Sequence, residues 1–275
     1  MGKTTDTIYS FMRGLFIALP GTLTPALSVV GSVPQAVPAH TMDDLEKAIK
    51  THVVGKAGQY DAVIVDDFSL IVTNTRDEME KNPKFKDGRA LYGALGRRVI
   101  DFLNLCRSLG IHVILNCHAK YPKDGEPGGP ALPGALLQGV PKLCDMVLRV
   151  DHDPVRRPWP AVYRAGLWAG SDWITGDRWN VVVDKAPMNL GEILRAAGFK
   201  VSRAPGMEWA EDLVENATMA VLGGGQLPSV VKDVATLLRA QNVPDSQVGW
   251  VLRDLKDRVE LRRIKSNALA FGFNI

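Results

Sequence analysis

One apolar run that ends in acid, Tyr60-Asp61-Ala62-Val63-Ile64-Val65-Asp66-Asp67, constrains this chain most. Its apolar residues are consecutive rather than alternating, and they are rich in β-branched side chains. That pattern predicts a strand buried on both faces, as in a parallel sheet covered by helices. Polar residues on such a strand collect at its carboxyl end, which is where ligands bind in open α/β sheets. Asp66 is therefore a carboxylate at a strand tip, a suitable donor for Mg²⁺, which takes oxygen ligands. Near the start of the chain, Met1-Gly2-Lys3-Thr4-Thr5 reads as the second half of the phosphate-loop pattern G-x-x-x-x-G-K-[ST].

The two pieces belong to one chemistry. A triphosphate is held by backbone N–H groups at a helix N-terminus, by a lysine on the outer phosphates, and by Mg²⁺ on a Ser/Thr hydroxyl. Gly2, Lys3, Thr4 and Thr5 supply those parts, and Asp66 supplies the acid. A nucleotide hydrolase is the expectation. The first glycine of the pattern, the strand before it and most of the loop are absent, because only Met1 stands in front of Gly2. The natural reading frame is therefore expected to begin upstream, with Met1 an internal methionine.

The 275 residues accommodate one large α/β domain and a smaller appendage. A hydrophobic content of 46 %, a charged content of 23 % and a net charge of +3 are those of a globular protein that tolerates nucleic acid without requiring it. Cys106, Cys117 and Cys144 are odd in number and lack C-x-x-C spacing, which argues against a disulfide framework or zinc site and fits a reducing cytoplasm. No apolar run is long enough to span a membrane, and the N-terminus lacks the layout of a signal peptide.

Along the chain, Thr4 to Met12 reads as a helix, Leu15 to Leu19 as a strand and Ala26 to Val30 as a short strand followed by a Pro-rich link. Thr41-Met42-Asp43-Asp44 opens a capped helix running to about Val53. Thr73 to Gly88 is charged and poorly periodic, which predicts a surface loop. Leu91 to Leu109 carries apolar residues at helical spacing. Ile111 to His118 is a second buried strand with a polar end, and Pro122 to Gly139 reads as a Gly/Pro-rich loop. Asp145 to Val150 is expected to be a strand, and Trp159 to Trp179 extended hairpin segments. Leu190 to Ala197, Glu208 to Val221 and the chain from Ser229 onward read as helices, with Gly223-Gly224-Gly225 as a hinge.

These residues resemble the phage-encoded RecA-like P-loop ATPases of the Sak single-strand-annealing type, a group also described as phage AAA-domain nucleotide-binding proteins. The likeness rests on Gly2-Lys3-Thr4-Thr5, Met42-Asp43-Asp44-Leu45, Val63-Ile64-Val65-Asp66 and Val113-Ile114-Leu115-Asn116-Cys117-His118. It continues through Pro130-Ala131-Leu132-Pro133-Gly134, Cys144-Asp145-Met146-Val147-Leu148-Arg149 and Thr175-Gly176-Asp177-Arg178. The resemblance implies an α/β fold, a RecA-like core with a mainly parallel sheet over 1–205 whose first strand is missing, and a helical C-terminal region over 206–275. It implies ATP and Mg²⁺ as cofactors, with Lys3 on the β- and γ-phosphates and Thr4 and Asp66 holding the ion. His118 would sense the γ-phosphate and signal to the loop from Ala119 to Val140, where Lys120, Lys123 and Lys142 would contact single-stranded DNA. Arg178 would be an arginine finger reaching a neighbouring subunit in a ring or filament, in the cytoplasm of the phage's host.

RecA-like enzymes often carry a catalytic glutamate after the strand that follows the first helix. Here that strand ends Ala18-Leu19-Pro20-Gly21, and Asp67 is the nearest substitute base. A non-enzymatic annealing or scaffold protein on the same fold is the alternative. Lys3 also reads as a solvated lysine, His118 as a hydrogen-bonded core histidine and Arg178 as a structural salt-bridging arginine. Trp159, Trp168, Trp173 and Trp179 suit packing as well as base stacking. The basic run from Arg253 to Lys265 reads as a solvated helix face or as a weak DNA-binding patch.

Overall fold

The computed structural model describes residues 3–11, 13–24, 35–56, 58–152, 161–165, 170–182, 186–199, 201, 209–243 and 245–270. The chain forms two compact units. One comprises residues 13–149 and 169–178, and the other comprises 1–12, 150–168 and 179–275. The division expected at residue 205 follows sequence order, whereas these units are discontinuous in sequence.

The unit of residues 13–149 is built on a four-stranded parallel sheet. Its strands are β1 (Gly14–Ala18), β2 (Gln35–Pro38), β3 (Ala62–Asp66) and β4 (His112–Asn116), in the order β2-β1-β3-β4. This is α/β architecture, a parallel sheet with helices packed on it, as the unbroken apolar run implied. Every residue of β1 and β3 is buried, because each strand is hydrogen-bonded on both sides and covered on its faces. One face carries Leu15, Ile17, Val63 and Val65. They pack with α2 (Met42–His52) through Leu45 and Ile49, with α3 (Phe68–Glu80) through Phe68, Ile71 and Val72, and with α4 (Gly88–Arg107) through Leu95, Val99 and Phe102. Helix α2 starts at a capping box in which the Asp44 carboxylate accepts from the backbone N–H groups of His40 and Thr41.

Several elements differ from the sequence reading. The stretch predicted as a loop from Thr73 is helical to Glu80: α3 is capped by Asp67 and buries Ile71, Val72 and Thr75, so its charged half is the solvent face of an amphipathic helix. A 3₁₀ turn, Pro83–Phe85, leads into α4. The Pro-rich link holds strand β2. The stretch read as a loop from Pro122 lies largely within a hairpin of β5 (Ala119–Lys120) and β6 (Gly129–Pro130), followed by α5 (Leu136–Leu143). Asp124 and Gly125, both at positive φ, turn the hairpin tip between the bridged residues Lys123 and Glu126. Asp-Gly suits a two-residue turn of that kind. Strand β7 (Met146–Val147) pairs with β10 (Gly176–Asp177). The predicted strand Ala26 to Val30, Trp159 and Trp168 lie outside the described residues.

The other unit contains α1 (Lys3–Ser10) and a three-stranded sheet of β8 (Arg149–His152, which enters this unit at Val150), β9 (Ala161–Arg164) and β11 (Ala186–Pro187), in the order β11-β9-β8. It also contains α6 (Leu190–Ala196), α7 (Trp209–Leu222), α8 (Leu227–Ala240) and α9 (Asp245–Ala270). The last three form a bundle around Val214, Val221, Leu238, Val251, Leu255 and Val259. Gly223-Gly224-Gly225 is the turn between α7 and α8: Gly224 has φ +110°, and a Cβ at Gly225 would lie 2.8 Å from the Ala220 carbonyl oxygen. No helix among the described residues is long and apolar enough to cross a membrane.

The basic run on α9 is only partly the solvated face that its charge pattern suggests. Arg258 is 2 % exposed and meets Glu192, Asp254, Glu211 and Glu215, and Arg262 meets Glu215. Lys256 and Arg263 are exposed. Removing Arg258 strands buried carboxylates, so Arg258→Ala is expected to cost about 3–5 kcal/mol of unfolding free energy in urea titrations. Burial pushes the Asp257 carboxyl up to about 7, against the opposing Arg253 charge. An acid raised in this way holds its proton in the folded state after the unfolded chain has released it, so stability falls as pH rises from about 4 to about 7. Asp257→Asn is expected to flatten that slope by up to about 1.4 kcal/mol per pH unit, read from urea midpoints across that range.

Candidate functional site

The carboxyl ends of three parallel strands finish level, because Ala18 pairs with Asp66 and Asp66 with Asn116. Asp66 is buried at the tip of β3, and its backbone oxygen accepts from Leu19 N at 3.0 Å and from Thr22 Oγ1 at 3.3 Å. Those two bonds fix the chain leaving β1 against the acidic tip.

Asp67 comes next, across a cis peptide bond, and has two roles. Its Oδ1 accepts from Ser69 N at 2.8 Å and from Ser69 Oγ at 2.5 Å, which caps α3. Its Oδ2 accepts from His118 Nε2 at 2.8 Å. Ser69 Oγ in turn accepts from His118 N at 3.0 Å. His118 is thus held by backbone and ring, although its side chain is 62 % exposed. A carboxylate on Nε2 fixes that nitrogen as the donor and leaves Nδ1 for a second partner. Asn116 is 6 % exposed, and its Nδ2 meets no acceptor among the described residues. Leaving such a donor unpaired costs about 1–3 kcal/mol. A phosphate oxygen suits it.

Asp66, Asp67 and His118 are therefore brought to one end of one sheet. Asn116 and Ser69 join them, and sequence reasoning gave neither a site role. Asn116 had a signal, since it shares a strand face with His118. Ser69 had none, because its contact depends on how α3 begins. Both oxygens of Asp67 are engaged, which bears on its expected role as a base.

Lys3, Thr4 and Thr5 open α1, in the other unit, where the Lys3 and Thr4 carbonyl oxygens accept from Thr7 Oγ1. Gly2 lies outside the described residues. Arg178 comes directly after β10 and pairs with Asp145 at 2.9 Å, with both side chains exposed. Lys120 pairs with Glu126 at 2.6 Å across the hairpin, Lys123 is exposed at its tip beside Asp124, and Lys142 is exposed in the last turn of α5. Trp173 packs against the same hairpin: the Arg149 guanidinium lies 4.1 Å from its ring centroid, and Tyr121, 72 % exposed, meets it edge-on. Trp179 packs against Phe199 instead. No group of three or more His, Cys, Asp or Glu suited to a metal occurs among the described residues, so any ion here needs ligand oxygens from a substrate or water as well.

Asp67→Ala removes the cap and the His118 partner together and is expected to lower stability by about 0.5–2 kcal/mol. Asp67→Asn keeps an acceptor for Ser69 N and is expected to cost less than half of that. Urea titrations of the two variants separate cap from pair, and equal losses would show that the cap contributes nothing.

The model of one protein family, described as an AAA domain, matches residues 1–179, well over half of the chain. The chain belongs to that family. No curated protein matches it.

Proposed function

We propose that this AAA-domain protein binds ATP with Mg²⁺ and hydrolyses it while acting on single-stranded DNA in phage recombination or replication, as a ring or filament. The observation that carries the reading is the grouping of Asp66, Asn116 and His118 at the carboxyl end of a parallel sheet, within a family match that also spans Lys3 and Thr4. Lys3 contacts the outer phosphates, and its neighbours Gly2 and Thr5 add further nucleotide contacts. Thr4 and Asp66 hold the ion, and both offer the hard oxygen donors that Mg²⁺ requires. The buried Asn116 amide suits an oxygen acceptor of the ligand. When bound, the ion neutralises charge developing on the phosphates.

The DNA reading has its own support. His118 leads at once into the hairpin that carries Lys120, Tyr121 and Lys123. An exposed tyrosine beside a tryptophan with a guanidinium on its face, among lysines, suits stacked bases and a phosphate backbone. Lys142 adds a further cation, and Arg178 reaches a neighbouring subunit's nucleotide.

A second reading, a non-enzymatic annealing or scaffold protein, is favoured by one specific observation. Asp67, the nearest substitute for the absent glutamate, has both oxygens occupied by the α3 cap and His118.

Turnover measured with and without single-stranded DNA decides between them. The enzyme reading expects DNA-stimulated ATP hydrolysis that Lys3→Ala abolishes, and expects Tyr121→Ala to weaken DNA binding by about 1–3 kcal/mol. Turnover that Lys3→Ala leaves intact discards it, and DNA binding without turnover favours the scaffold.

A further inference from the structure

The helix that bears Lys3 and Thr4 is held by residues from the far end of the chain. Asp6 is 1 % exposed, and its carboxylate takes donors from three separate segments. The Tyr163 hydroxyl donates at 2.5 Å, Leu190 N at 3.1 Å and Arg253 Nη2 at 3.1 Å. The Arg253 guanidinium also donates to the Met188 carbonyl and pairs with Asp257 at 3.4 Å. One turn further along α1, Ser10 Oγ accepts from Gly191 N at 2.9 Å. Helix α6 therefore has its first amides capped by α1: Leu190 by Asp6 and Gly191 by Ser10. The third, Glu192 N, is capped by Asn189. Asn189 is fastened to α9 through Asp254 at 3.1 Å and Asp257 at 3.3 Å.

Eight residues are too few for a helix to be stable by itself in water, so the bearing of α1 is set by what grips it. Asp6 lies within one turn of Lys3 and Thr4, and a rotation of the helix about Asp6 swings both. Of these donors to Asp6, Arg253 is the charged one, and it joins α1 to α9 and to the segment before α6 at one point. Neutral donors hold a carboxylate with less directional force than a guanidinium.

We propose that Arg253 is a positioning residue for the phosphate-binding end of α1, so that the C-terminal helix α9 sets how Lys3 and Thr4 are presented to ATP. The C-terminal region is then part of the nucleotide site's support rather than an appendage. This inference rests on the reading of Lys3 and Thr4 as phosphate contacts. It concerns the ion-pair geometry and the cap, not their titration.

The test compares binding of ATP and AMP by the full-length chain in Mg²⁺, for the parent and for Lys3→Ala, Arg253→Ala, Arg253→Lys and Tyr163→Phe, with a thermal midpoint for each. A misplaced phosphate helix lowers affinity for ATP but not for AMP. Arg253→Ala is expected to weaken ATP about 10- to 100-fold with AMP unchanged. Arg253→Lys keeps the charge but loses the fork that spans Asp6, the Met188 carbonyl and Asp257, and falls between. Tyr163→Phe, a change of one hydroxyl that keeps the ring packing, moves in the same direction and serves if Arg253→Ala does not fold. Unchanged ATP affinity in both Arg253→Ala and Tyr163→Phe, with Lys3→Ala impaired, overturns the inference and leaves the nucleotide reading intact. Equal weakening of ATP and AMP marks a merely structural role and overturns it too. If Lys3→Ala binds ATP as the parent does, the nucleotide reading fails and the inference falls with it.

Discussion

The pairing of β3 between β1 and β4 governs the larger unit. With its backbone satisfied on both edges and its apolar faces covered, β3 can place a carboxylate only at its end, and the register puts Asp66 level with Asn116. The neighbouring elements depend on that tip. Asp67 turns the chain into α3 by capping it, and with its other oxygen it grips His118 at the start of the adjacent loop. One residue thus joins the end of the acidic strand, the first turn of a helix and the base of the β5–β6 hairpin. A ligand that moves His118 must work against this bond, so the state of the strand tip and the placement of the hairpin are mechanically tied.

The unit that holds α1 is organised by a different force. Its helical bundle has an ordinary apolar seam, but beside the seam lies a chain of buried or half-buried ions: Asp6, Arg253, Asp257, Asp254, Arg258, Glu192 and Arg195. Charges withdrawn from water in this way contribute little net stability and a great deal of geometric definition, since each is tolerable only while its partners stay in place. That property gives the short helix α1 a defined bearing.

Much of this is legible in the sequence, for identifiable reasons. Strands β3 and β4 announce themselves as uninterrupted apolar runs, α2 by its Thr41–Asp44 capping box, and α4 by apolar residues at helical spacing. Helix α3 is hidden beyond Thr73 because its buried positions, Phe68, Ile71, Val72 and Thr75, cluster in its first half and leave a charged second half that mimics a loop. The hairpin after His118 is concealed by its glycines and prolines, although Lys-Asp-Gly-Glu carries the turn. At the site, Asp66, Asp67 and His118 are legible as polar ends of apolar strands, although β4, expected to be buried, is half-buried up to Asn116 because it lies at the edge of the sheet and ends before His118. The bond between Asp67 and His118 is not, because it joins side chains from different strands' ends. The burial of Arg258 and the grip of Arg253 on Asp6 are equally invisible, since charge pattern along a helix says nothing of partners more than forty residues away.

The central claim is the proposal that the start of α1 and the tip of β3 serve one metal-bound nucleotide. Paramagnetic Mn²⁺ supplied with ATP tests it most directly, by its broadening of backbone amide signals in the labelled chain. Coordination by Thr4 and Asp66 requires that both of their amides broaden together on addition of Mn²⁺·ATP and recover when the ion is chelated. Broadening at one with the other untouched would contradict the claim.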